Sequence, residues 1–150
     1  MVYKKTKWDD PDFIHLIRML DKELWINYPA LQQKYVGKNA INEDASVIVC
    51  YKNGIPVGCG CFRKTEHEEN AVEVKRMFVD PTRRGKGIGR TILRELSKWA
   101  KEQGKASMIL ETGIKQTEAI EMYKKYGFEI IENYGDYKGN GNSLCMRKKI

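Results

Sequence analysis

The chain has no long apolar run, almost no histidine, no paired-cysteine motif and no block of like charge, and each shortage removes a class of protein. Nowhere do the roughly 18 consecutive apolar residues of a membrane helix occur. The start, Met1-Val2-Tyr3-Lys4-Lys5, lacks the apolar stretch of a secretory signal, so a cytoplasmic location is expected. The four cysteines, Cys50, Cys59, Cys61 and Cys145, show no C-x-x-C spacing, and only His15 and His67 could join them as ligands, so no metal site is expected. Cys59 and Cys61 would share one face of a strand, where free thiols behave as small apolar side chains. No repeat, low-complexity tract or linker divides the sequence, and residues 1–150 read as a single domain.

What is present is an ordinary globular composition, 41% hydrophobic and 31% charged. The formal net charge of +7 fits nucleic acid, an acidic partner or a polyanionic small molecule. Basic residues are spread along the whole chain, so the total says little; the local cluster Arg83, Arg84, Lys86 and Arg90 says more.

Periodicity outlines the elements. A first strand is followed by a helix opened by Asp10-Pro11, in which Asp accepts from free backbone N–H groups and Pro suits the first helical position. Phe13, Leu16, Ile17, Leu20 and Leu24 form its apolar stripe. A shorter helical piece is expected from about Ala30 to Val36. Val47 to Tyr51 and Ile55 to Phe62 flank Asn53-Gly54, a hairpin signal. With Val72 to Val79 they make a run of consecutive antiparallel strands. Ile88, Ile92, Leu93, Leu96, Trp99 and Ala100 trace a second helical face closed by Gly104. Ser107 to Thr112 is a strand, and Glu118 to Tyr126 a helix ended by Gly127. Phe128 to Asn133 and Ser143 to Lys148 supply the last strands, across the glycine- and asparagine-rich segment from Tyr134 to Asn142. The sum is an α/β, mixed α+β, layered architecture.

The strongest local feature is a strand that runs into Arg84-Gly85-Lys86-Gly87-Ile88-Gly89-Arg90 and then becomes a helix. Glycines let a ligand approach the backbone, and the free N–H groups of a helix start favour an anion. The P-loop would need G-x-x-x-x-G-K-[ST], and the dinucleotide fingerprint would need a third glycine where Arg90 stands. Taken alone, the glycines fit a tight turn with a solvated cationic rim as well as they fit a phosphate cradle.

Around this loop the sequence resembles the GNAT superfamily of N-acetyltransferases, whose acetyl-CoA loop follows R/Q-x-x-G-x-G/A, matched by Arg84, Gly87 and Gly89. Glu73-Val74-Lys75-Arg76-Met77-Phe78-Val79 looks like the family's strand before the loop. Leu110-Glu111-Thr112-Gly113, with Gln116, Ala119, Tyr123, Gly127 and Phe128, looks like its later strand and helix. The resemblance spans Pro56 to Phe128, about half of the chain. It implies a mostly antiparallel central sheet of about seven strands flanked by about four helices, with two splayed strands holding the CoA arm.

It also implies roles. Main-chain groups of Met77, Phe78 and Val79 would pair with the pantetheine amides, and Arg84, Gly85, Lys86, Gly87, Ile88, Gly89 and Arg90 would hold the pyrophosphate. Arg83 would add charge beside them. Gln116, where many relatives have Asn, would bond the pantetheine arm. Tyr123 would give a proton to the departing thiolate, and Glu73 would serve as general base, with Glu111 as a second candidate. Each has a plainer reading: Tyr123 as core packing, Glu73 as an exposed strand carboxylate pairing with Lys75 or Arg76. Lacking a Ser-His-Asp or Cys-His arrangement, the chain is expected to transfer acetyl directly to a primary amine of a small molecule or peptide. Trp25, Tyr28, Tyr35, Tyr134 and Tyr137 are candidate walls of the acceptor site, and a homodimer through an exposed last strand is an open expectation. Two alternatives compete: a non-catalytic CoA-sensing or partner-binding domain of the same fold, and, less favoured, a basic nucleic-acid-binding module.

Overall fold

A computed structural model describes residues 1–27 and 44–150. The expected helical piece from Ala30 to Val36, and with it Tyr28 and Tyr35, lies outside the described residues.

Strand β1 (Val2–Lys7) leads into helix α1 (Pro11–Asn27). Asp10 caps that helix: one carboxylate oxygen accepts from the N–H groups of Asp12 at 2.8 Å and Phe13 at 3.4 Å. Strands β2 (Ser46–Lys52) and β3 (Ile55–Lys64) form the hairpin, its turn made by Asn53 and Gly54, both at positive φ. Strand β4 (Ala71–Val79) completes the meander. Helix α2 (Ile88–Glu102), β5 (Ser107–Gly113), helix α3 (Thr117–Tyr126), β6 (Glu129–Ile131) and β7 (Ser143–Lys149) follow.

The strands form one seven-stranded sheet in the order β1-β2-β3-β4-β5-β7-β6. Among the described residues its only parallel neighbours are β4 and β5; the other pairs are antiparallel. The last strand is therefore not an edge, as the sequence suggested. The polar segment after β6 lets β7 pass between β5 and β6, which leaves β1 and β6 at the margins.

Alternation along the strands separates two faces. Ile48, Cys50, Val72, Val74, Met108 and Leu110 pack beneath α2 and α3 in the main core. From α2 that core receives Ile92, Leu93 and Leu96, all fully buried, at about 1.5–3 kcal/mol for each side chain removed from water. Val47, Val49, Cys59, Cys61 and Phe78 face the other way, against Phe13 and Leu16 of α1. Beyond α1 that second face is covered by the segment after β6, where Tyr134 and Tyr137 pack on Ile109 and Cys145. Among the described residues three α-helices flank the sheet, and none is long and apolar enough to cross a membrane.

Candidate active site

The site begins where two neighbouring strands part. Strands β4 and β5 pair only from Ala71–Ser107 to Glu73–Ile109. Both continue past that point unpaired to each other, so backbone amides from Val74 onward on β4 and from Leu110 onward on β5 face a gap. A bulge on the β3 side helps bend β4 away: Cys59 pairs with Phe78 and Cys61 with Lys75, and Arg76 sits at φ 58°. An extra residue of this kind kinks a strand and sharpens its twist. The gap opens into a cavity of about 580 Å³ that passes from the α2–α3 face to the α1 face.

At one end of the cavity lies the glycine loop. Asp80 caps a short 3-10 turn, accepting from the Thr82 N–H at 2.9 Å, and the chain then enters α2 through Gly87 at φ +81° with open space where a Cβ would stand. The first helical bond inside α2 runs from the Thr91 N–H to the Gly87 carbonyl, which leaves the N–H groups of Ile88, Gly89 and Arg90 for an anion. Gly89 serves a different purpose: a Cβ there would lie 3.0 Å from the Met122 sulfur of α3, so its absence lets two helices close around the cavity.

The loop's cations divide. Arg83 and Arg90 line the cavity; Lys86 does not. Arg84, expected on the pyrophosphate, spends its guanidinium elsewhere. Its Nε donates to the Val79 carbonyl at 2.9 Å, and both terminal nitrogens grip the Glu23 carboxylate of α1 at 3.0 and 2.8 Å. Arg84 thus ties the loop to α1. Met77, Phe78, Val79 and Gln116 all line the cavity; Gln116 stands at the start of α3 without capping it through its side chain.

At the fork of the strands stand Tyr123 and Glu111. Tyr123 is buried, packs edge-on against Phe128, and lines the cavity with its hydroxyl bonded to no described residue. Burial first, and the Glu111 charge second, hold its phenol above the usual value. Across the gap Glu111 is half-buried and accepts from the Ser143 hydroxyl at 2.6 Å. Desolvation raises its carboxyl above the usual range, although Ser143 and Lys75 pull it back.

Glu73 departs from the plainer reading of an exposed strand carboxylate. It is 3% exposed and pairs with neither Lys75 nor Arg76. Arg63 holds one of its oxygens at 3.0 Å, and the Tyr134 hydroxyl donates to the other at 2.7 Å. Nor is it part of the cavity wall. Tyr134 and Tyr137 act as lids over buried charge, Tyr137 standing 3.3 Å from the Lys75 ammonium, while Trp25 is exposed and absent from the wall.

Sequence reasoning missed Asp21, Glu23, Lys75 and Arg76. The signal for the last two was there: adjacent charges interrupt the alternation of β4, as a bulge does. The thiols are spent on packing, Cys61 donating weakly to the Lys75 carbonyl at 3.3 Å with burial pushing it up to about 12.

The splayed strand pair and the anion-ready helix start form a cleft suited to a long phosphorylated ligand, and similarity to known proteins points to which ligand that is. The family model for the acetyltransferase (GNAT) family matches residues 6–128. The IAA acetyltransferase of Azospirillum brasilense is 36% identical over 138 residues, covering 91% of this chain and 90% of that protein. Among solved structures, the PaiA N-acetyltransferase of Thermoplasma acidophilum in complex with coenzyme A has a TM-score of 0.75 at 18% identity, with complete coverage of both chains. The IAA acetyltransferase of Bacillus cereus has a TM-score of 0.71 at 21% identity, covering 99% of each. The chain belongs to the acetyltransferase (GNAT) family. It is an acetyl-CoA-dependent N-acetyltransferase, with acetyl-CoA as its co-substrate.

Proposed function

We propose that the chain moves the acetyl group of acetyl-CoA directly to a primary amine of a small molecule or peptide, with the thioester held at the fork of β4 and β5. The observation that carries this reading is the fork itself. The edge of β4 at Met77, Phe78 and Val79, which has no partner in β5, offers the pantetheine amides an added strand, leading from the free N–H groups at the start of α2 to the hydroxyl of Tyr123. The pyrophosphate rests on Gly85 to Arg90, with Arg83 and Arg90 adding charge. Arg84 braces the loop, and the Gln116 amide bonds the arm.

The acceptor enters from the α1 face. Its nitrogen attacks the thioester carbon, the carbon–sulfur bond breaks, and the thiolate takes the Tyr123 proton. The proton shed by the amine goes to a carboxylate. Glu111 suits that step better than Glu73, because it lines the cavity and burial raises its affinity for a proton. Glu73 then acts at a distance, fixing Arg63 and Tyr134. Buried thiols held above their usual range argue for direct transfer rather than an acyl-cysteine. All four cysteines are free, which suits a cytoplasmic setting. A homodimer formed by strand addition would use β1 or β6, the margins of the sheet.

Thermal unfolding tests the cofactor cleft. Acetyl-CoA at about a hundred times its Kd should raise the midpoint by about 5–10 °C, and Gly87→Val, a branched side chain at positive φ, should cancel the shift. A midpoint unmoved by acetyl-CoA would sink the reading.

A further inference from the structure

Opposite the loop, the cavity wall carries an arginine only half used. Arg76 projects from the bulge of β4, its side chain 10% exposed, and one terminal nitrogen, Nη1, pairs with Asp21 of α1. Its Nε is buried with no hydrogen-bond partner, and among the described residues its Nη2 bonds to none either. Those two N–H groups form the side edge of a guanidinium, the edge that meets a carboxylate with two parallel hydrogen bonds. A buried donor left without a partner costs about 1–3 kcal/mol, and such groups in a folded protein call for an explanation.

The bulge also decides what stands beside it. At an ordinary strand position Lys75 and Arg76 would point to opposite faces. Here Lys75 lines the same cavity, beside Tyr137 of the segment after β6, while Arg76 reaches α1. Two cations therefore converge where the acceptor enters. The acidic side chains nearby are engaged: Glu23 by Arg84, Glu73 by Arg63 and Tyr134, Asp21 by the far edge of Arg76, Glu111 by Ser143. Leu20 and Leu24 of α1 supply an apolar wall next to them.

Resting on the reading of the cleft as an acetyl-CoA site, we infer that the acceptor carries a carboxylate near its amine, held by the Nε–Nη2 edge of Arg76 with Lys75 beside it. The class is an amino acid or similar amino acid-like compound with a modest apolar side chain. The carboxylate fixes the molecule at the bulge, and the amine is left to face the fork.

Matched acceptors test this without any variant. Each free amino acid is compared with its amide, leucine with leucinamide and phenylalanine with phenylalaninamide among them, by following CoA release. The amide keeps shape and size and has the less basic amine, so an unassisted reaction favours the amide. The expected result is a kcat/KM about tenfold or more higher for acids than for their amides. In Arg76→Lys, which keeps the charge and loses the planar fork, and in Arg76→Gln, that preference should disappear while the acetyl-CoA stabilisation stays. No acid outrunning its amide, or a preference that survives both variants with acetyl-CoA stabilisation intact, overturns the inference. Absence of acetyl-CoA stabilisation in the unaltered protein would instead remove the cleft reading beneath it.

Discussion

The two ends of the cavity are built on opposite plans. The end beneath α2 and α3 is made of main chain: the edge of β4 that parts from β5 after Glu73 and the free N–H groups opening α2. The end beneath α1 is made of side chains, most of them charged and paired across long sequence separations. Main-chain recognition is rigid and indifferent to neighbouring side chains, whereas a paired side-chain wall depends on every partner. A donor common to a whole family suits the first plan, and an acceptor particular to one protein suits the second.

That contrast can be broken at defined residues. The largest effect is expected from Tyr123→Phe, which removes the hydroxyl proposed as proton donor and leaves the main-chain cradle untouched. Turnover should fall about a hundredfold or more, with the acetyl-CoA midpoint shift unchanged; equal turnover would take Tyr123 out of the mechanism.

Next come the two carboxylates, which should fail in different ways. Because burial lifts Glu111 above the ordinary carboxylate range, it is protonated and idle at acid pH and becomes a base as pH rises through that elevated value. Glu111→Gln should therefore lower kcat by about tenfold or more and abolish the acid limb of the pH–rate profile. Glu73→Gln removes the buried charge held by Arg63 and the Tyr134 hydroxyl, so it should cost stability, about 3 kcal/mol, while the acid limb persists. If the limb vanishes with Glu73 and not with Glu111, their roles are exchanged.

The smallest effect belongs to Glu23→Gln. It weakens the pairing with Arg84, which is partly exposed, so a loss below about 1 kcal/mol is expected, or a midpoint lowered by about 2–4 °C. A far larger drop would mean that α1 is held mainly by the loop rather than by Phe13 and Leu16.

Legibility in the sequence follows the same division. The hairpin at Asn53-Gly54, the apolar stripes of α1 and α2 and the glycine loop are local patterns, and each is where the residues placed it. The order of the strands is not local: β7 enters between β5 and β6 because of pairings that no periodicity encodes. Nor is the environment of Glu73, decided by a tyrosine 61 positions later, or the partner of Arg84, a glutamate 61 positions earlier. Motif spacing singled out Met77 to Val79, Gln116 and most of the glycine loop, which line one cavity, though not Lys86. It could not assign the acceptor wall, where a side chain's work is set by what folds against it.

The fork has one more consequence, for how such a chain can change over generations. On the proposed reading β4 meets acetyl-CoA with its amides and not its side chains, so substitutions at Lys75 and Arg76 leave the donor's binding groups in place. New acceptors can be explored there through single codon changes while the co-substrate continues to bind.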